Sequence, residues 1–205
     1  MTAIDPERLV FIDESGSHIG MTREYAWSPL GTRVHGRVPR NRGVVLTMLG
    51  ALARNGVRAM MTNGGGTNRQ VFLRFLSEHV APSLRPGDVV VMDNLGAHHA
   101  TGVREIIAAA GARILYMPAY SPDLNPIELC WSKLKGTLKS IGARTVATLI
   151  DAVGAASERI TPRDAEGWFR HCGYGAQESP RSSATRSECG PTSRNGTGRA
   201  EGRKI

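Results

Sequence analysis

LYMPAYSPDLNPIELCWSKLKGTLK, residues 115–139, reads in one pass as the end of a strand, a turn and a helix. The apolar run Ile114 to Met117 has the length and composition of a buried strand. Pro118, Ser121, Pro122, Asp123 and Asn125 then make a turn. Asn125 suits the N-cap of the helix that follows, and Pro126 suits its first position, where a missing N–H costs nothing. Ile127, Trp131, Leu134, Leu138 and Ile141 recur at helical spacing and predict the buried face. Glu128, Ser132, Lys135 and Lys139 fall on a second stripe. Glu128 alone has a plain reading: Asn-x-x-Glu is a capping box, in which the Glu reaches back to the N-cap amide.

Working outward, Val89 to Met92 is a short apolar run that stops at Asp93-Asn94, with His98 and His99 close behind. A helix over 101–110 and the strand Arg113 to Met117 complete a strand–helix–strand unit, which implies a parallel pair. Leu9 to Ile12 is a second apolar run cut off by an acid, in Asp13-Glu14-Ser15-Gly16. Residues 23–27 and Val44 to Leu52 predict two further strands. Gly64-Gly65-Gly66 lacks the G-K-[ST] ending of a phosphate loop and reads as a turn. Asn68 caps a helix through about Val80, and Thr145 to Ile160 predicts another with Val146, Leu149, Ile150 and Val153 inward. Residues 1–175 form the foldable domain. The stretch 176–205 has too few large apolar side chains to offset its ordering entropy and is expected to be a disordered basic tail.

The 205 residues carry a net charge of +8. Most of the excess lies in residues 1–175, with 20 basic against 15 acidic side chains. Such a surface favours polyanions, and Arg suits phosphate because its planar fork binds bidentately. Arg33, Arg37, Arg40 and Arg42 cluster with His35 in TRVHGRVPRNRG, which reads equally as a solvated loop or a phosphate-contacting arm. Lys133, Lys135 and Lys139 are the second basic group. Cys130, Cys172 and Cys189 are widely spaced with no C-x-x-C pair, against both a disulfide framework and a zinc site. No run reaches the length of a membrane span and no signal peptide opens the chain, so a cytoplasmic protein is expected.

Asp13 and Asp93 each end a buried run, and ligands of open α/β sheets collect beyond such strand ends. If the two strands are parallel neighbours, the carboxylates lie side by side and Glu128 leans over the same edge. Three acids together repel unless cations bridge them. Hard oxygen donors suit Mg²⁺ or Mn²⁺, and two such ions can serve phosphoryl transfer. Each Asp alone is equally compatible with a turn or a cap.

FIDESG, VVVMDNLGAHHA and YMPAYSPDLNPIELCWSKLK together resemble the catalytic blocks of mariner-like DDE transposases, in their bacterial insertion-sequence branch. The 34 residues between Asp93 and Glu128 match the spacing of that superfamily, and ITPRDAEGWFRHCGY resembles its domain end. The resemblance runs from about residue 8 to 175. It implies an α/β fold of ribonuclease H-like type, a five-stranded mixed sheet flanked by helices. It assigns Asp13, Asp93 and Glu128 as catalytic metal ligands, and places Asn94 and His98 beside the second acid to orient it or touch DNA. It also implies Mg²⁺-dependent cleavage of double-stranded DNA at transposon ends and strand transfer to target DNA, by a nucleoid-associated homodimer or larger assembly. Only about seven residues precede the first strand, so a helix-turn-helix polypeptide from an upstream frame is an expected partner. Two alternatives stay open: an inactive DNA-binding remnant that modulates a full-length transposase, and another ribonuclease H-like nuclease.

Overall fold

The computed structural model describes residues 4–93, 101–118 and 121–175. Its centre is a five-stranded mixed sheet: β1 (Leu9–His18), β2 (Val45–Ala53), β3 (Gly56–Gly64), β4 (Val89–Met92) and β5 (Arg113–Tyr116), in the order β3-β2-β1-β4-β5. The first three strands form an antiparallel meander, and β1, β4 and β5 run parallel to one another. Helices α1 (Arg69–Phe75), α2 (Val103–Ala109), α3 (Pro126–Ile141), α4 (Val146–Glu158) and α5 (Pro162–His171) complete the fold.

The alternation of β1 builds two cores. Leu9 and Phe11 point to one face, where Trp131 and Leu134 of α3, Val153 of α4 and Phe169 of α5 cover them. Val10 and Ile12 point to the other, under Phe72 and Phe75 of α1 and Ile107 of α2. Both faces are filled, so β1 and β4 read as continuous apolar runs rather than alternating ones. Phe11, Phe169 and Tyr174 form an aromatic cluster, with Phe11 and Phe169 edge to face at 5.4 Å between ring centroids. Such pairs add about 0.5–1.5 kcal/mol beyond the area they bury.

The structure corrects several expectations. Residues 23–27 form no strand; Tyr25 and Trp27 stand exposed in an irregular arm that joins β1 to β2. The fifth strand is instead β3, closed onto β2 by a tight turn at Arg54-Asn55 with Gly56 at φ +124°. Asn-Gly is the strongest short hairpin signal a sequence carries, and it stands at Asn55-Gly56. Ile141 is 46% exposed because α3 ends there, with Gly142 in the left-handed conformation that caps it. Val146 and Ile150 also face solvent; Ala152 and Ala156 take the inner face of α4 with Leu149 and Val153. Asn68 caps α1 as expected, accepting from the Val71 amide at 3.0 Å, and the helical path continues through a π turn to Val80. Asn94, His98 and the expected tail at 176–205 lie outside the described residues. No helix among the described residues is long and apolar enough to cross a membrane.

Candidate active site

The parallel pairing of β1 with β4 decides where the acids fall. Phe11 pairs with Val91, and the same register carried two residues further sets Asp13 level with Asp93 at the end of β4. On its other side Asp13 pairs with Gly50 of β2. Glu128 sits in the first turn of α3, the helix that lies across β1 and β2 on this face.

Trp131, one turn after Glu128, ties the helix to the strand. Its indole Nε1–H donates to Asp13 Oδ2 at 3.0 Å, and the ring is buried. The ring tip lies over Gly50, where a Cβ would come within 2.7 Å of Trp131 Cη2. Gly50 is therefore the gap in β2 that lets the indole reach Asp13. Any side chain there would force the ring off the carboxylate or the helix off the sheet.

The capping box expected for Glu128 does not form. Asn125 makes no side-chain cap, and its backbone amide is already taken by Pro122 O at 2.9 Å, in the 3₁₀ turn Pro122–Leu124. Glu128 has no amide left to reach back to, and its side chain is exposed. The turn itself is braced by Tyr174, whose hydroxyl donates to Leu124 O at 2.8 Å. So the start of α3 is held by tertiary contacts, and its acid is left over for something else.

Electrostatics point the same way. Burial pushes the Asp13 carboxyl up to about 6, and the negative charges of Glu128 and Asp93 push it further in the same direction. Hydrogen bonds from the Glu14 amide and Trp131 hold it back only in part. No Lys or Arg pairs with Asp13 in the described residues. This is a concentration of negative charge that a hard cation would relieve, and the donors are all carboxylate oxygens, which suit Mg²⁺ or Mn²⁺. Among the described residues no three His, Cys, Asp or Glu side chains close into a cage for one ion. Cys130 and Cys172 are free and buried, and burial drives the Cys130 thiol up to about 12, so neither serves as a metal thiolate.

Of the basic residues singled out in the sequence, Arg33, Arg37, Arg40 and Arg42 are all exposed on the arm between β1 and β2. Lys133 turns away from the others to pair with Asp164 at the start of α5, which holds that carboxyl down to about 2. Lys139 pairs with Glu24 at the root of the arm. Sequence reading missed Trp131 as a partner of Asp13: its helical spacing marks only a core residue, and nothing local reveals an indole N–H aimed at a strand far away in the chain.

The model of the DDE superfamily endonuclease family matches residues 8–150. The chain belongs to this family. No curated protein sequence matches it. Among solved structures it is similar to the Mos1 transposase paired-end complex with left transposon end, at TM-score 0.61 and 19% identity over 82% of this chain and 52% of that one. It is similar also to the mariner Mos1 paired-end complex with Mg, at 0.58 and 18%, over 82% and 52%. The catalytic domain of Mos1 mariner transposase aligns at 0.54 and 17%, over 82% of this chain and 76% of that one. At these identities the likeness establishes the ribonuclease H-like fold. The chain spans about half the length of the paired-end-complex transposase chains it matches.

Proposed function

We propose that this DDE superfamily endonuclease is the catalytic domain of a DNA transposase of the mariner-like, insertion-sequence kind. It would cleave double-stranded DNA at transposon ends and join the freed 3′-hydroxyl to target DNA. The observation that supports the reading is the electrostatics of Asp13, whose carboxyl is raised first by burial and then by the charges of Glu128, at a helix start that does not use it as a cap, and of Asp93, level with it in the extended register of the parallel strands. The similarity to the Mos1 paired-end complexes with left transposon end and with Mg supports the choice of substrate and metal.

Asp13, Asp93 and Glu128 would hold two Mg²⁺ or Mn²⁺ ions. Such ions, when bound, activate an attacking hydroxyl and stabilise the leaving oxygen of a phosphodiester. The protein's own part is positioning. Trp131 fixes Asp13 through Oδ2, the parallel register fixes Asp93 beside it, and Tyr174 and Pro126 fix the turn that presents Glu128. Asn94 follows Asp93 directly and His98 comes five residues after it; both are proposed to orient it or to meet DNA. Arg33, Arg37, Arg40, Arg42, Lys135 and Lys139 are proposed to contact phosphates. Sequence-specific end recognition falls to a helix-turn-helix region, and the working form is a homodimer or larger assembly in the cytoplasm at the nucleoid.

The test is a joining assay. Duplexes carrying the inverted repeats that flank the coding sequence, with a free 3′-hydroxyl, are incubated with plasmid and the protein in Mg²⁺. Covalent joining that requires Mg²⁺ or Mn²⁺ and vanishes in Asp93→Asn is expected. Metal-independent activity, or full activity in Asp93→Asn, would overturn the reading.

A further inference from the structure

Beyond the acids, β1 and α3 run on side by side and open into a cleft of about 500 Å³, with His18, Thr22, Glu24, Arg42, Lys135 and Lys139 on its walls. The cleft is built rather than incidental. Gly20 donates its amide to Arg42 O at 3.1 Å, and a Cβ on Gly20 would lie 2.8 Å from Asn41 O, so only glycine lets the returning arm pass this close. Arg144 holds the exit of β1 by donating to Met21 O at 2.8 Å and Ile19 O at 3.1 Å. Arg23 binds the arm to α3 through Ser140 Oγ.

The charges are unbalanced. Arg42 and Lys135 have no carboxylate partner among the described residues, and the one acid on the wall, Glu24, is taken by Lys139. Of the polar groups, His18 adds an imidazole whose Nδ1 is shielded from solvent and lacks a hydrogen-bond partner. Three cations against one anion describe a site for a polyanion, with Glu24 standing where one of its phosphates would bind.

We infer that this cleft binds backbone phosphates of the DNA strand being processed, a few nucleotides from the reacting phosphate, and that Glu24 is an internal anion that DNA displaces from Lys139. The inference rests on the transposase reading for the identity of the polyanion. Its register follows from geometry. Helix rise places Lys135 about 10 Å and Lys139 about 16 Å beyond Glu128 along α3. Strand rise places His18 about 16 Å beyond Asp13 along β1. At about 3.4 Å of duplex axis per nucleotide, the cleft meets phosphates roughly three to five nucleotides from the acids.

Two variants act in opposite directions. Arg42→Ala with Lys135→Ala removes two unpaired cations, whereas Glu24→Gln frees Lys139 for phosphate. Glu158→Gln, at the end of α4, makes the same change in net charge away from the cleft. With the full chain and a fluorescent 30-base-pair duplex, anisotropy across a salt series reads both affinity and slope. The double variant should bind roughly tenfold more weakly at low salt, with a log–log salt slope shallower by about one to two. Glu24→Gln should bind several-fold more tightly with a slope steeper by about one, and Glu158→Gln should match wild type. Single methylphosphonate linkages walked along the duplex should weaken joining by wild type most at three to five nucleotides from the reacting 3′-hydroxyl end. The double variant should be indifferent there. Equal behaviour of Glu24→Gln and Glu158→Gln, or a double variant that binds as wild type does, would overturn the inference. Wild-type joining of unmodified DNA reports separately on the transposase reading: shifted affinities without joining would leave the cleft standing and remove the nuclease.

Discussion

Asp88 and Asp13 lie beyond opposite ends of the stretch over which β4 and β1 pair in parallel, and their surroundings treat them in opposite ways. Asp88, just before β4, is fully buried and neutralised: Arg58 Nη1 lies 2.6 Å from its Oδ2, the Arg85 amide donates to the same oxygen at 2.9 Å, and Arg8 stands 3.9 Å from Oδ1. Asp13, at the other end of the shared register, receives only an indole N–H and a backbone amide, and it faces two more acids. An acid that serves the fold is given a cation; an acid left without one costs stability, and that cost needs a reason outside the fold. The same fold that places an arginine under Asp88 pairs none with Asp13 among the described residues.

The largest effect that sharpens this contrast is on activity alone. Glu128 makes no cap and is exposed, so Glu128→Gln should leave the thermal midpoint within about a degree of wild type. In the joining assay it should lose about a thousandfold, some 4 kcal/mol of transition-state stabilisation. A variant that joins DNA normally would show that Glu128 is a bystander. Asp88→Asn should do the reverse. It strands the Arg58 guanidinium, whose side chain is only 9% exposed. Breaking a buried pair by removing one partner costs about 3 kcal/mol. Urea melts should show that loss, whereas joining per folded molecule should be unchanged. If Asp88→Asn folds as well as wild type, the contrast between the two acids fails.

Most of the scaffold of this site was legible in the sequence because it is written in local signals. Leu9 to Ile12 and Val89 to Met92 are apolar runs cut off by acids, Pro126 marks a helix start, and the unit from Val89 to Met117 forces a parallel pair. The errors arose where tertiary contacts overruled local ones. Asn125-x-x-Glu128 has the letters of a capping box, but the 3₁₀ turn before it uses up the amide the box needs. Tyr25 and Trp27 have strand propensity, yet no neighbouring edge pairs with them. Asn55-Gly56 announces the hairpin that supplies the further strand expected at residues 23–27. The Trp131–Asp13 bond spans 118 positions and depends on the absence of a side chain at Gly50, so no periodicity reveals it.

Gly50 offers the next test. Gly50→Ala puts a Cβ against a Trp131 ring that the surrounding core holds in place, so overpacking should cost about 2 kcal/mol. It should also pull the indole from Asp13. Trp27, Trp131 and Trp168 are the three tryptophans of the chain, so indole N–H signals in ¹⁵N-labelled protein are few enough to follow. One signal should move strongly in Gly50→Ala, and the same signal should move in Asp13→Ala. If the two variants shift different indoles, Trp131 is not the partner of Asp13.

The smallest effect goes against the usual sign of a mutation. The folded chain holds the Asp13 proton up to about pH 6, against an ordinary value of 3.8, chiefly because burial disfavours the charged form. Below about pH 4 the carboxyl is protonated in folded and unfolded chains alike, and burial costs little. Between about 4 and 6 the unfolded chain gives up its proton first, so stability falls as pH rises, and above about 6 the whole penalty is present. Asn keeps a carbonyl for the Trp131 N–H and carries no charge. Asp13→Asn should therefore stabilise the metal-free chain at pH 7 by about 1–2 kcal/mol, less than the full linkage because the side chain is only partly buried and the Glu14 amide loses part of its bond. The gain should shrink towards zero at pH 4. Mg²⁺ should stabilise wild type by mass action and leave Asp13→Asn nearly unmoved, so the two melting curves converge as the metal is raised. A variant less stable than wild type at pH 7 in chelator would mean that Asp13 is another Asp88, an acid kept for the fold.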